Sequence, residues 1–584
     1  MAVPAALTRL PWWLASGVGL VGAVFGAVLI FRPFDSLSAL IAVVAAGAWL
    51  MAVSSIAGAR RAASQWPGVT AGVGWVAVGL GVLAWPDLTT RGLAVVVGLA
   101  LLAGGVLDVA AGIRGATDER LAALVGGLAS VVFGVLALSW PSVTVLVVAV
   151  VFGFRLVQFG LRLAWSSFRS REGRTTADAE QTRSKLRRFA HLAGAVAALL
   201  IALALAAISV TFNRAAPVVD AFYDAPPVLP ADPGSLLRAE EFTRTIPDDA
   251  DAWRILYTTT RADGVPALAS AIVVVPGDRP NGPMPVIALA HGTTGVARTC
   301  APSVLRDPFG AGAFYALDEV LARGWALVAT DYVGLGTEGG HPYLVGEPAG
   351  RSVLDSVRAA RQLTGIDLAE ETVVWGHSQG GGAALWTGGL APTYAPDTGV
   401  IGVAALAPAS DLVGLADVLG GALGGSIFAS YLLQGYATAY TDVVVGDYVK
   451  PVARTSFDAV VGRCLAEPSA LLSLIGSLTL GDSVFSTDLD SGPLLARLEA
   501  NVPTLPIAAP LLVAQGETDG LIPAAAQADY VGARCAAGQP IDYRTYPDRG
   551  HIPLVEADSP LLPDLFEWTQ DRFDGAAYVP TCGG

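Results

Sequence analysis

The chain has 584 residues, a mean hydropathy of +0.55, and 36 Lys+Arg against 50 Asp+Glu, for a net charge of −14. Such hydropathy excludes a wholly soluble enzyme, and the acidic balance argues against nucleic-acid binding. The charge is divided unevenly: residues 1–212 hold 16 Lys+Arg and 8 Asp+Glu, whereas residues 213–584 hold 20 and 42.

Seven apolar segments, each long enough to span a bilayer, run near 12–31, 37–57, 68–85, 92–112, 121–139, 143–165 and 191–212. The first six repeat as three helix pairs. Gly26, Gly79 and Gly134 each precede a proline by seven residues, and those prolines (Pro33, Pro86, Pro141) are 53 and 55 residues apart. The turns Phe31-Arg32-Pro33, Trp85-Pro86-Asp87 and Trp140-Pro141-Ser142 separate the members of each pair. Trp85 and Trp140 sit where an aromatic belt would place them. Positive charge follows the even-numbered spans (Arg60-Arg61, Arg114 with Arg120, and the run Arg169 to Arg188), which predicts a cytoplasmic N-terminus. The seventh span then delivers the rest of the chain to the outside. A cleaved signal is not expected, because six more spans follow the first. In glycine pattern and hydropathy this block resembles the HdeD-type six-span membrane family.

Residues 169–190 read as a basic, solvated cytoplasmic linker, in which basic residues also suit anionic lipid. Residues 213–235, with Pro217, Pro226, Pro227, Pro230 and Pro233, read as an extended linker outside the membrane. The predicted divisions are therefore 1–168 for the six-span block, the linker 169–190, the seventh span 191–212, the linker 213–235, and an enzyme-like domain over 236–584.

Within that domain, Pro285 to Ala290 reads as a third strand ending in the loop His291-Gly292-Thr293-Thr294-Gly295. Farther along, Thr372 to Trp375 is strand-like, Gly376-His377-Ser378-Gln379-Gly380 follows, and Gly381 to Trp386 is a run of small residues opening a helix. Strand, sharp turn and helix with a serine at the apex form the nucleophile elbow of the α/β-hydrolases. That fold orders its triad as Ser, acid, His. Of the five histidines only His551 lies far beyond Ser378, in the loop after the strand-like Ile541 to Arg544. The acid is expected after the strand Pro510 to Gln515, where Asp519 is the first choice, Glu517 the second and Asp548 the third. Backbone N–H groups of Gln379 and Thr293 are the expected oxyanion donors, with Thr294 next to Thr293.

Between the strand Val400 to Leu406 and the strand starting at Pro510 lie about a hundred residues, far more than an ordinary connection, so a helical cap is expected at about 410–505. Helical patterns occur at Leu412 to Leu423 and Ser469 to Leu480. The glycine-rich apolar stretch Leu419 to Ala437 reads either as a flexible lid or channel, or as plain cap core. Cys300, Cys464, Cys535 and Cys582 all fall in this half, an even number suited to an oxidising compartment. Three pairings are open, and no His cluster or C-x-x-C accompanies them, so no metal is expected.

Taken together, Ala290 to Gly295, Asp331 to Thr337, Gly340 to Gly346 and Gly376 to Gly380 resemble the secretory lipases typified by Candida antarctica lipase A, over residues 235 to 584. The resemblance implies an α/β-hydrolase core with a cap, hydrolysis of carboxylic esters, and disulfides Cys300–Cys464 and Cys535–Cys582. The expected fold class is an all-α transmembrane bundle (six spans in three repeats plus a seventh) followed by an α/β-hydrolase domain with a helical cap. The expected activity is a membrane-anchored extracytoplasmic serine lipase or esterase acting on lipid-like esters without a cofactor. The bilayer is its expected partner. Two alternatives are acyl transfer to an envelope hydroxyl, and a membrane stress or lipid sensor carrying a non-catalytic hydrolase domain.

Overall fold

Apolar runs of about 20 residues can satisfy their own backbone only as helices when water is excluded. The first part of the chain is helical wherever the structure, a computed structural model, describes it. Described are residues 12–31, 66–84, 86–114, 120–140, 180–421, 424–468, 470–474 and 484–582, with a few further positions between 49 and 165. The chain divides into two units. One is Met1–Ala215 with Val449–Ala459 and Leu478–Phe485, and the other is Ala216–Tyr448 with Val460–Ser477 and Ser486–Gly584.

Among the described residues of Met1–Ala215 the helices are Trp12–Phe31, Trp66–Ala84, Pro86–Arg114, Arg120–Ser139 and Glu180–Ala215. Val97–Arg114, Arg120–Ser139 and His191–Thr211 are long and apolar enough to cross a membrane. The expected spans 37–57 and 143–165 lie outside the described residues, apart from isolated positions. Two expectations need correction. Pro86 does not sit in a turn but opens a helix of 29 residues, a position where its missing N–H costs nothing. The linker 169–190 is not wholly irregular, because one helix of 36 residues runs from Glu180 through the seventh span. Glu180, Gln181, Lys185, Leu186 and the arginines are good helix formers, and extending an existing helix avoids a new nucleation cost. The helix stops just short of Pro217, which disfavours helical geometry in the residue before it.

Helices Pro86–Arg114 and Arg120–Ser139 pack antiparallel through glycines seven residues apart. A Cβ added to Gly105 would lie 2.6 Å from the Gly127 carbonyl oxygen, and one on Gly127 would lie 2.7 Å from that of Gly105. A Cβ on Gly134 would meet the Gly98 carbonyl oxygen at 2.9 Å. Such backbone approach is how apolar helices associate where the hydrophobic effect offers no gain. The heptad spacing of glycines in the sequence thus marks a contact ladder.

The second unit is built on a nine-stranded sheet of order β1-β2-β3-β5-β4-β6-β7-β8-β9. The strands are β1 Leu236–Glu241, β2 Ala250–Thr260, β3 Pro266–Pro276, β4 Met284–Ala290, β5 Ala326–Thr330, β6 Leu368–His377, β7 Val400–Leu406, β8 Leu511–Gly516 and β9 Asp542–Tyr546. β1 to β3 pair antiparallel and β4 to β9 form the parallel part. The strand that ends at Ala290, just before His291, is therefore the fourth in chain order, not the third. The extra strand is β1, whose Leu-Leu-Arg-Ala-Glu-Glu sequence is half exposed at the sheet edge and carries little strand signal. β5 and β8 are buried along their whole length, as parallel strands covered on both faces must be.

Between β7 and β8 the described residues carry helices Leu412–Gly421, Gly425–Ala439, Val445–Tyr448, Arg454–Val461 and Gly492–Ala500. Much of the predicted helix at Ser469 to Leu480 lies outside the described residues. Of the two readings of Leu419 to Ala437, packed core describes the Gly425–Ala439 helix. Ile427, Tyr431, Leu432, Leu433 and Tyr436 are buried, and a Cβ on Gly435 would lie 2.5 Å from the Tyr343 backbone nitrogen.

The glycine ladder predicts a contrast between adjacent positions. Gly105→Leu should lower the unfolding temperature of the full chain in detergent markedly, whereas Gly104→Leu, where an added Cβ meets nothing within 4 Å, should leave it nearly unchanged. A thermal melt of the two variants side by side checks this, and equal midpoints would contradict it.

Candidate active site

β6 delivers His377 to the carboxyl end of the sheet, and the Gln379–Tyr394 helix starts immediately after Ser378. Ser378 itself has φ 60 and ψ −119, a conformation rarely adopted by a residue with a side chain. The turn is possible only with glycine on both sides. A Cβ on Gly376 would lie 2.0 Å from the Gly380 carbonyl oxygen, and one on Gly380 1.9 Å from that of Ala290. The chain crosses from strand to helix too tightly for any side chain there.

Three side chains predicted from their order in the sequence meet at this point. His551 Nε2 lies 2.8 Å from Ser378 Oγ, and His551 Nδ1 lies 2.7 Å from Asp519 Oδ2. The Asp519 side chain is fully buried and His551 nearly so. Asp519 Oδ1 accepts the backbone N–H groups of Leu521 (2.9 Å) and Ile522 (2.8 Å), and Oδ2 also accepts from Gln515 Nε2 (3.1 Å). Burial alone would push this carboxyl up. The hydrogen bond and charge of His551 and the two backbone donors outweigh it and hold the group below its ordinary range. The other acids weighed for this role face elsewhere: Glu517 accepts from Thr545 on the surface, and Asp548 is exposed in a left-handed turn.

Of the oxyanion candidates, Gln379 is the first residue of its helix, where the N–H has no partner within the helix and the dipole is positive. In the loop after β4, Gly292 N–H is committed to the Gly312 carbonyl (3.1 Å). Thr293 keeps its hydroxyl against the Tyr343 hydroxyl at 2.8 Å. The Thr294 hydroxyl is buried and meets no partner among the described residues.

Two further histidines adjoin the site, and sequence order gave neither a role. His377 is buried, and its Nε2–H donates to the backbone carbonyl of His551 (3.0 Å). It therefore ties the elbow to the loop that carries His551. The Val333 carbonyl can only accept, so His341 Nδ1 donates to it (3.0 Å), and the bare Nε2 accepts from Gln379 Nε2 (3.0 Å). His341 thereby fixes the side chain next to the nucleophile. Burial is the main force holding both these rings down to about 3, and buried His291 down to about 4. The only signals in the sequence were the His within the pentapeptide and the His-Pro-Tyr after Gly340.

The cysteines are joined as Cys300–Cys464 and Cys535–Cys582. The first bond closes a loop of 164 residues between the segment after β4 and the cap segment. Constraint of the unfolded chain by such a bond is typically worth about 2–4 kcal/mol.

Comparisons with known proteins bear on the family and the fold. The family model described as Secretory lipase matches residues 313–580, and a model described as a short repeat of unknown function (DUF308) matches residues 17–71, 70–132 and 125–178. Residues 313–580 are thus similar to secretory lipases, and the N-terminal part matches the short-repeat model three times. Among similar proteins, a probable inactive lipase of Mycobacterium tuberculosis is 26% identical over 59% of this chain and 79% of its own length. A secreted triacylglycerol lipase of Malassezia globosa is 26% identical over 60% of this chain and 79% of its own length. The X-ray structure of Candida antarctica lipase A in its closed state superposes with a TM-score of 0.55 at 21% identity, covering 62% of this chain and 88% of the other. That last likeness speaks for the fold.

The buried histidines set a pH dependence. A ring whose pKa is about 3 when folded and 6.5 when unfolded binds fewer protons in the native state between those values. Its contribution therefore rises with pH across that window and is lost on acidification from about 6.5 downward. His377→Gln should flatten the stability–pH curve of the full chain between pH 4 and 6.5 by roughly one proton, about 1.4 kcal/mol per pH unit. Denaturant titrations of both proteins at several pH values check this, and parallel curves would contradict it.

Proposed function

Taking residues 313–580 as a secretory-lipase domain, we propose that the protein is a membrane-anchored serine lipase or esterase with Ser378 as nucleophile, His551 as general base and acid, and Asp519 as the acid that orients the imidazole. One observation carries this reading: the unbroken chain of hydrogen bonds from Ser378 Oγ through both His551 nitrogens to a buried, ionised Asp519. In this mechanism Ser378 Oγ attacks the acyl carbon while its proton passes to His551 Nε2. The N–H groups of Gln379 and Thr293 receive the oxyanion. Collapse expels the alcohol, which takes the proton from His551. Water, deprotonated by His551, then attacks the acyl-enzyme, and the carboxylic acid leaves as Ser378 recovers its proton. The residues supply every group the reaction needs, so no cofactor is invoked.

The proposed setting is a cell membrane, with seven spans, a cytoplasmic N-terminus and the lipase domain outside. The apolar helices, the three repeats and the basic residues after even-numbered spans support the anchoring and the orientation. The two disulfides support an oxidising environment for the lipase part. The similarity to a probable inactive lipase raises a second reading, a domain that binds esters without turning them over. The joined Ser378, His551 and Asp519 weigh against it, since binding alone needs no such relay.

Purified full chain in detergent micelles, assayed on p-nitrophenyl esters of increasing acyl length, tests the proposal. The wild type should turn over. Ser378→Ala should lose on the order of 10⁶-fold and Asp519→Asn on the order of 10⁴-fold in kcat. A folded wild type inert at every acyl length would sink the catalytic reading and leave the binding one.

A further inference from the structure

Residues Gly340 to Gly346 supply no member of the proposed triad, yet two of their side chains reach the two residues assigned to the oxyanion. His341 Nε2 accepts from the Gln379 side chain (3.0 Å), and the Tyr343 hydroxyl lies 2.8 Å from Thr293 Oγ1. Thr293 and Gln379 lie just past the ends of β4 and β6, which are paired neighbours in the sheet. Neither backbone N–H meets an acceptor among the described residues, as a donor kept for substrate requires.

The two contacts share a frame. Tyr343 N–H donates to the His341 carbonyl across Pro342 (3.0 Å), so both side chains leave one tight turn. His341 Nδ1 donates to the Val333 carbonyl, and its ring stacks on Tyr332 with centroids 5.8 Å apart and 18° between planes. The Gly425–Ala439 helix backs the turn closely. A Cβ on Gly435 would lie 2.5 Å from the Tyr343 nitrogen, and the Tyr436 hydroxyl donates to the Leu344 carbonyl (3.2 Å).

Chemistry sets the direction of each bond. Tyr343 is buried, which pushes its hydroxyl pKa up and keeps the phenol protonated. Its one hydrogen-bond partner among the described residues is Thr293 Oγ1, so the phenol donates there rather than leave its proton unpaired. His341, held neutral by burial and donating through Nδ1, has a bare Nε2 that can only accept. Oxyanion donors are effective because they are in place before charge develops, which requires the residues around them to lock their geometry.

We propose that His341 and Tyr343 are positioning residues for the oxyanion hole: His341 holds Gln379, Tyr343 holds Thr293, and one turn thereby fixes both donors. The inference rests on the serine-hydrolase reading. Loss of either contact then acts on the transition state, where the oxyanion exists, and spares the bound ester.

The test measures kcat and KM for p-nitrophenyl butyrate on the full chain in detergent, and Ki for an alkyl trifluoromethyl ketone. Addition of Ser378 Oγ to that ketone leaves an oxyanion, with the serine proton on His551. Tyr343→Phe keeps the buried ring and loses only the hydroxyl. It should lower kcat about tenfold at nearly constant KM, less than the roughly 10²–10³-fold that loss of a donor itself costs. The ketone Ki should rise by the same factor. Adding Tyr343→Phe to Thr293→Val should cost no further activity, because the two hydroxyls act as one unit. His341→Leu should likewise lower kcat about tenfold and raise Ki to match, in keeping with one lost hydrogen bond. Gln379→Leu keeps the backbone N–H but loses the same contact, and carries this arm if His341→Leu fails to fold. Folded variants with unchanged kcat, with a loss confined to KM, with a Ki that does not follow kcat, or with additive losses in the double variant would overturn the positioning role while the hydrolase reading stands. A wild type that turns over no ester would overturn both.

Discussion

The backbone of Ser378 is the constraint on which the rest depends. A side-chain-bearing residue held at φ 60 and ψ −119 costs on the order of 1–3 kcal/mol and persists only if its surroundings leave no alternative. Here they do so through contacts too close for any Cβ at Gly376 and Gly380, and through Ser378 N–H donating to the Leu406 carbonyl at 2.9 Å. Other non-glycine residues at positive φ gather in the loops around the sheet's carboxyl end: Tyr332, Leu344, Ala407 and Asp548. The first three are held by their neighbours. The Tyr332 hydroxyl donates to the His291 carbonyl, the Leu344 carbonyl accepts from Tyr436, and Ala407 N–H donates to the Ala514 carbonyl. Strain is thus concentrated where the chemistry is proposed, over a sheet buried on both faces.

Neutral buried histidines are the second device of the site. Burial keeps His377 and His341 uncharged near neutral pH, and among the described residues neither hydrogen-bonds to Ser378 Oγ. Instead each provides a directional hydrogen bond, one to the backbone of His551 and one to the side chain of Gln379. A carboxylate or ammonium in either place would carry an unpaired charge into the interior. The Gly425–Ala439 helix, packed against Tyr343 and tied to Leu344 through the Tyr436 hydroxyl, bears on the same loops from the cap side. The cap segment and the segment after β4 also share the Cys300–Cys464 bond.

What the sequence made legible was local. Ser378 announced itself through glycines two residues away on either side, and the strand before Asp519 was a short apolar run, whereas the strand before His551 carried the mixed sequence Ile541-Asp542-Tyr543-Arg544. Chain order then left a single candidate histidine. The failures have equally physical causes. β1 is an edge strand whose polar face pays no burial cost, so its composition does not distinguish it from a linker. The helical start at Glu180 within the expected linker was not legible because Glu, Gln, Lys and Arg serve both helices and solvated coil; only continuity with the apolar stretch beyond His191 marks it. The positions of His377 and His341 depend on partners at Val333, Gln379 and His551 that no short window contains. The Gly-to-Pro spacing in the first unit was visible as a repeat, but the backbone contacts at Gly98, Gly105, Gly127 and Gly134 required the facing helix.

Active-site labelling tests the central claim, that Ser378 is an activated nucleophile, most directly. The full chain in detergent is treated with a fluorophosphonate, digested, and the adduct mapped by mass spectrometry, with a heat-denatured sample alongside. The account predicts one adduct, on Ser378 in the peptide containing Gly376 to Gly380, formed by the native protein and absent after denaturation, since only the folded relay to His551 and Asp519 activates that hydroxyl. A native protein that remains unlabelled, or that carries its adduct on another residue, would contradict it.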